Sequence, residues 1–277
     1  MKVVNVNLKD FYPVQGGELT GMIMQKPWDN GHEGWKRPAV IVCPGGGYAY
    51  VSSREGEPVA AEFFAKGYQA FILKYLTRGE EVSYPEALIE LASTVDYVKK
   101  HAEEFSVNPD EIFVVGFSAG GHLVGNLAVE YQDVSKKAGV ELDCKPTAVG
   151  LSYPVISQKT AYKNSHENLL WEYTDEAKAE LLKTLNLDEA VSELTPPTFI
   201  WTTKEDGAVP SENSLLFALA LARNNIDYEL HVYPKGGHGR STGTREVNDV
   251  VNKGEEKLTQ WIGNCIQFFR SYCEEEF

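Results

Sequence analysis

The sequence predicts an α/β fold built on a mainly parallel sheet. Three observations predict it. Ala39-Val40-Ile41-Val42-Cys43 and Ile112-Phe113-Val114-Val115 are apolar at every position, which suits strands buried on both faces. Such runs alternate along the chain with segments of helical period. The stretch Gly116-Phe117-Ser118-Ala119-Gly120 lies where one of them passes into a helical pattern, so a sharp turn presents a serine.

Taken in order, residues 3–9 alternate apolar and polar, and residues 19–25 can pair with them across Gly16-Gly17 as an antiparallel hairpin at a sheet edge. Residues 27–38 read as a polar loop before the strand 39–43. Residues 55–66 have a helical apolar face of Val59, Phe63 and Phe64, closed by Gly67. Residues 69–75 form the next strand. Pro85 opens a helix running to about His101, with Leu88, Leu91, Val95 and Val98 at helical spacing. The strand 112–115 and the helix around 123–129 flank Ser118, and 147–155 is a strand ending at Tyr153-Pro154.

Residues 156–195 break the alternation. They are polar and partly helical, with 176–185 amphipathic, and are too long for a plain loop. They read as a cap-like insertion within one domain spanning 1–277. Residues 198–203 form a strand running into Lys204-Glu205-Asp206-Gly207-Ala208-Val209-Pro210. Residues 211–224 form a helix with Leu215, Leu216, Leu219 and Ala222 inward. Residues 228–233 are the last strand, ending in Pro234-Lys235-Gly236-Gly237-His238-Gly239, and 254–272 is a C-terminal helix.

Composition narrows the function classes. The chain has 277 residues, 43% hydrophobic and 24% charged, which is the make-up of a globular protein with a sizeable core. Its formal net charge of −14 opposes binding to nucleic acid or to an anionic membrane. No apolar run is long enough to span a bilayer. Residues 1–8 alternate rather than form the apolar core of a secretion signal, so a cytoplasmic location is expected. Cys43, Cys144, Cys265 and Cys273 have no regular spacing and read as free thiols, without a metal or disulfide framework.

In a parallel sheet, ligands bind beyond the carboxyl ends of the strands. Ser118, Asp206 and His238 all fall at such ends, and so does Pro44-Gly45-Gly46-Gly47-Tyr48. A serine hydroxyl is a weak nucleophile without a base. His238 can take its proton and return it to a leaving group, while Asp206 holds the imidazole tautomer. The backbone N–H groups of Gly46, Gly47 and Ala119 are the candidate donors to an oxyanion. Among competitors, His122 lies one helical turn past Ser118 and is expected on the core side or flank of its helix. His32, His101, His166 and His231 do not end strands and are expected at the surface. Glu205 neighbours Asp206, but Gly207 to Pro210 forms the turn that aims the aspartate, and Asp227 begins a strand at the opposite end.

The set Pro44-Gly45-Gly46-Gly47-Tyr48, Gly116-Phe117-Ser118-Ala119-Gly120-Gly121-His122, Pro196 to Trp201 leading to Asp206-Gly207-Ala208-Val209-Pro210, and Gly236-Gly237-His238-Gly239 resembles the α/β-hydrolases. It is most similar to their acetyl xylan esterase-like branch of small carbohydrate esterases and lipases. The resemblance implies an α/β-hydrolase fold and hydrolysis of short acyl esters, acetyl first, of small sugars through an acyl-enzyme. It implies no metal and no cofactor. The partner is a small-molecule ester, and a homo-oligomer stays open. The chain departs from related lipases in carrying Pro44 where they carry histidine. Tyr48 is the candidate substrate-binding residue; Trp171 and Trp201 are the other aromatic residues near the expected mouth, and filling the core is an equal reading for all three. Two further readings stand beside the esterase: a prolyl oligopeptidase-type peptidase, for which the chain lacks room for a propeller, and an inactive hydrolase fold that binds a small molecule.

Overall fold

Successive buried side chains of the central strands enter opposite cores because a parallel sheet covered on both faces has two. In β3 (Arg37–Cys43), Ala39, Ile41 and Cys43 enter one core, while Val40 and Val42 enter the other. In β5 (Val107–Phe117), Ile112 and Val114 divide in the same way from Phe113, Val115 and Phe117. The computed structural model describes residues 1–26, 34–160 and 164–274. Most of the loop at 27–38, with His32, lies outside the described residues.

The remaining strands are β1 (Lys2–Asn7), β2 (Glu18–Ile23), β4 (Gln69–Lys74), β6 (Ala148–Ser152), β7 (Thr198–Thr203) and β8 (Tyr228–Tyr233). They form an eight-stranded sheet in the order β1-β2-β4-β3-β5-β6-β7-β8. Strand β2 is antiparallel to both β1 and β4, and the other pairs are parallel. The expected edge hairpin is therefore present, with Lys2 opposite Ile23 and Asn7 opposite Glu18.

One face of the sheet is covered by α1 (Glu57–Ala65) and α9 (Gln260–Arg270), which bury Val59, Phe63, Trp261 and Phe269. On the other face lie α2 (Glu86–Lys100), α4 (Ala119–Ala138) and α8 (Glu212–Arg223). Short α3 (Ala102–Phe105) leads into β5. Helix α4 runs far beyond the expected 123–129, because Glu130, Gln132, Lys136, Lys137 and Ala138 are good helix formers and no breaker intervenes until Gly139, left-handed at φ 70°, ends it. The phase expected for α8 is corrected. Phe217, Ala218 and Leu221 are its buried face, while Leu215 and Leu219 are nearly half exposed. Its sequence is apolar on several faces, so periodicity leaves the phase undetermined and the sheet selects it.

Among the described residues, 156–195 contains no strand. It holds α5 (Asn164–Leu169), α6 (Asp175–Leu185) and α7 (Leu187–Ala190). Leu185 and Leu187 anchor this segment in the core shared with α4, where Leu187 fills the space left by Gly125. Asn164 and Asn168 reach the edge of the cleft described next.

Candidate active site

The turn between β5 and α4 holds Ser118 at φ 53° and ψ −116°, a conformation that costs an L-residue energy and persists only when its surroundings impose it. Here they do. Ser118 N–H donates to the Ser152 carbonyl at 3.0 Å, and the Ser118 carbonyl accepts from the His122 and Val155 amides, both at 3.1 Å. The flanking glycines permit the packing. A Cβ on Gly116 would stand 2.2 Å from the Gly120 carbonyl oxygen, and one on Gly120 would stand 2.2 Å from the carbonyl oxygen of Cys43. Gly120→Ala is therefore expected to cost at least about 3 kcal/mol, because the obstacle is backbone that cannot rotate away. Gly263→Ala, with nothing within 4 Å in mid-α9, is the contrast and should gain about 0.5–1 kcal/mol. Thermal midpoints of the two variants check this pair; a Gly120→Ala midpoint equal to wild type would refute the packing argument.

Three of the residues singled out by strand-end position converge. Ser118 Oγ lies 2.8 Å from His238 Nε2, and His238 Nδ1 lies 2.6 Å from Asp206 Oδ2. A carboxylate only accepts, so His238 carries its proton on Nδ1 and Nε2 accepts from the serine hydroxyl. The other carboxylate oxygen, Oδ1, accepts from the amides of Ala208 at 3.0 Å and Val209 at 2.8 Å. The turn after Asp206 thus fixes its side chain, which is wholly buried. Glu205 points elsewhere, to Lys235 and the Gly236 amide, and Lys235 holds its carboxyl below the usual carboxylate range. Asp227 lies at the start of β8, where Tyr272 bonds to it.

The Gly45–Tyr48 loop is pinned by its carbonyls. Gly45 O accepts from Ser52 N at 2.9 Å, and Gly46 O accepts from the amides of Ala49 and Tyr50 at 3.0 and 3.3 Å. In a trans peptide the N–H points opposite its carbonyl, so these bonds fix the directions of the Gly46 and Gly47 N–H groups. Gly46 at φ 131° and Gly47 at φ 64° adopt backbone that only glycine takes readily. Ala119 opens α4, where N–H groups have no helical acceptor. A cleft of about 260 Å³ is lined by Gly46, Gly47, Ser118 and His238 together with Tyr50, Asn164 and Asn168.

The expected role of Tyr48 is corrected. Its ring is buried against Tyr75, and its hydroxyl lies 2.9 Å from His122 Nδ1, inside the protein rather than at the cleft. Backbone at φ 57° turns this side chain inward, and Tyr50, 64% exposed, stands at the cleft instead. Trp201 is a core residue that stacks on Trp261 and donates to Ser152 Oγ. Trp171 donates to the Val82 carbonyl and lies beneath Arg78.

His122 is buried, as its helical position suggests, but the surface expectation for His166 is corrected. The two imidazoles meet edge to face, with centroids 4.7 Å apart, and both Nε2 atoms lie within hydrogen-bond reach of the Leu185 carbonyl. Burial pushes His122 down to about 3 and His166 down to about 4. His101 stacks on Tyr97, and His231 pairs with Glu229. All four cysteines are free, and burial raises each thiol. Among the described residues, no group of three or more His, Cys, Asp or Glu side chains is placed to hold a metal ion, and no helix is long and apolar enough to cross a membrane.

Sequence reasoning missed Glu55 and Tyr153. Buried Glu55 accepts from Gly45 N–H at 2.8 Å and from the Tyr153 hydroxyl at 2.6 Å. Tyr153 in turn accepts from the Ser241 amide at 3.0 Å, and its ring meets that of His238 edge-on at 5.1 Å. The pair ties the glycine loop to the loop carrying His238. Tyr153 ends the β6 region and so shared the strand-end signal; Glu55 carried none.

Comparison with known proteins places the chain. The BD-FAE family model matches residues 29–221. The chain is 37% identical over 232 residues to endo-1,4-beta-xylanase B of Butyrivibrio fibrisolvens, a stretch covering 81% of this chain and 36% of that protein. It is 29% identical over 236 residues to acetylxylan esterase of Xylanibacter ruminicola, covering 83% of this chain and 45% of that one. The chain thus spans less than half the length of either relative. The solved structure of the acetyl ester-xyloside bifunctional hydrolase from Caldicellulosiruptor lactoaceticus superposes with a TM-score of 0.80 at 31% identity, covering 97% of this chain and 96% of that one. With the α/β-hydrolase sheet in place and the family model matched across most of its length, the chain belongs to the BD-FAE family.

Proposed function

We propose that this chain is a serine carboxylesterase that removes short acyl groups, acetyl above all, from small sugars. The observation that carries this reading is the unbroken path from Ser118 Oγ to His238 to the buried carboxylate of Asp206. As Ser118 Oγ attacks the acyl carbonyl carbon, its proton passes to His238 Nε2, and Asp206 stabilises the imidazolium. The carbonyl π pair moves onto oxygen, where the N–H groups of Gly46, Gly47 and Ala119 receive it. Collapse breaks the ester C–O bond, and the imidazolium returns its proton to the departing sugar oxygen. Water repeats the cycle on the acyl-enzyme, releasing acid and free serine.

The substrate class rests on the cleft and on the relatives. Asn164 and Asn168 supply hydrogen-bonding groups suited to sugar hydroxyls, and Tyr50 offers a ring face at the rim. Two of the similar proteins bear acetyl-ester names, acetylxylan esterase and acetyl ester-xyloside bifunctional hydrolase. The segment 156–195 serves as a small cap, contributing one wall of the cleft through its asparagines. The test is a kcat/KM series on p-nitrophenyl acetate, butyrate and octanoate, with acetylated xylose and an aminoacyl anilide alongside. Acetate is expected to exceed octanoate by about 10-fold or more, since a polar cleft gives a long chain little apolar surface to bury. Octanoate turning over fastest sinks the acetyl reading, and faster anilide cleavage sinks the esterase reading.

A further inference from the structure

The four consecutive carbonyls of residues 45–48 all have donors, but their donors differ in origin. Those of Gly45 and Gly46 are held locally, by the amides of Ser52, Ala49 and Tyr50. Gly47 O is held by a side chain from the insertion: Asn168 Nδ2 donates to it at 2.9 Å, across 121 residues of sequence. Asn168 is itself fixed, because its Oδ1 accepts from Arg78 Nη1 at 2.9 Å, while the Arg78 backbone amide donates to Tyr48 O at 2.9 Å. Arg78 sits over the Trp171 ring, 5.8 Å from its centroid. Trp171 and the Leu169 carbonyl bind back to Val82 and Tyr84. Asn168 also lines the cleft that holds Ser118.

The Gly47 N–H shares its peptide plane with the Gly46 carbonyl, and the Gly47 carbonyl shares the next plane with the Tyr48 N–H. Glycine has no Cβ to restrict the rotation of one plane against the other, so Gly47 stays in place only when both planes are held. The amides of Ala49 and Tyr50 hold the first plane through the Gly46 carbonyl, and Asn168 holds the second through the Gly47 carbonyl. We infer that Asn168 is a positioning residue: by holding the peptide that joins Gly47 to Tyr48 it keeps Gly47 from swinging about its Cα and so keeps the Gly47 N–H in place for the developing oxyanion, and the insertion thereby completes the glycine loop. The inference rests on the reading of Gly46 and Gly47 as oxyanion donors. It gives Asn168 a role in rate, separate from any contact with the sugar. Donor geometry at the transition state affects kcat, whereas a ground-state substrate contact affects KM.

Two variants test it. Asn168→Asp keeps the shape and the acceptor facing Arg78 but removes the donor to Gly47 O. Asn168→Leu removes the donor without adding charge. Both are expected to lower kcat for p-nitrophenyl acetate by about 10- to 100-fold with KM within about 2-fold of wild type. The inhibition constant of phenylboronic acid, which forms a tetrahedral adduct on an active serine, is expected to rise in step. The Asp variant should melt within a few degrees of wild type, so the result does not depend on the Leu variant folding. Wild-type kcat in the Leu variant, or a loss confined to KM in both, overturns the proposal. A fluorophosphonate probe separates this from failure of the underlying reading. If wild type is labelled at Ser118 and the variants match its kcat, the Asn168 role alone falls. If wild type is not labelled, the esterase reading falls and takes this one with it.

Discussion

Ser118→Ala is expected to reduce kcat on p-nitrophenyl acetate by about 10⁵-fold, leaving a folded protein. The fold should survive because the bonds that hold this residue are made by its backbone: its amide to Ser152 O and its carbonyl to the amides of His122 and Val155. Alanine meets the same φ of 53° with a side chain no larger. What disappears is the atom 2.8 Å from His238 Nε2. His238→Ala should lose a similar factor, and the double variant should lose little more than either single one. A hydroxyl without its base and a base without its hydroxyl are equally idle, so their effects do not add. Residual turnover would come from the amides of Gly46, Gly47 and Ala119 together with substrate binding. Single-turnover kinetics and circular dichroism on the three variants decide the matter. Full activity in folded Ser118→Ala refutes a serine nucleophile at this position. Losses that multiply in the double variant refute a shared proton path.

The parts of this molecule that were legible in sequence are those in which local chemistry and global position coincide. The runs 39–43 in β3 and 112–115 in β5 are apolar at every position because both faces of the sheet are covered there. Gly116 and Gly120 stand where a Cβ would strike backbone, so the turn writes itself into the chain as G-x-S-x-G. Ser118, Asp206 and His238 could be grouped because each follows a strand, and parallel strands deliver their ends to one rim. Illegible features depend on partners remote in sequence. Asn168 reaches backbone across 121 residues, and Glu55 reaches Tyr153 across 98. Nothing in either local sequence records those distances. Tyr48 misled because a residue adjoining a functional loop need not face the same way: one left-handed backbone angle sends its ring into the core. The inward phase of α8 misled for a related reason, since a helix apolar on several faces is oriented by what it packs against.

Acidification from pH 7 to pH 5 is expected to destabilise the protein by about 4 kcal/mol through His122 and His166 alone. Both are buried, and burial lowers both imidazoles from 6.5, to about 3 and about 4. A base whose folded value is depressed contributes its full stability above the unfolded value. That stability is lost as pH falls toward the folded value, because only the unfolded chain takes up the protons. The window is therefore pH 6.5 down to about 3–4. At pH 5 each imidazole has lost about 2 kcal/mol, from 1.5 pH units at 1.36 kcal/mol each. The geometry shows why neither can charge in place. Both Nε2–H groups converge on the Leu185 carbonyl, and the centroids are only 4.7 Å apart, so a second positive charge would face the first. Among the described residues, His166 Nδ1 is buried with no partner to receive a new N–H. His122 Nδ1 already has Tyr48, so protonation there disturbs the residue that follows the glycine loop. His166→Leu removes one of the two titrating groups. The stability lost between pH 7 and pH 5 should then shrink by about 2 kcal/mol, and the fall in melting temperature by on the order of 5 °C. Carboxylates elsewhere contribute alike to wild type and variant, so the difference between the two curves isolates the histidine. Identical pH-dependent losses in both proteins would show that this pair does not bear the acid sensitivity. A smaller loss in the variant would locate it where the insertion, α4 and the glycine loop meet.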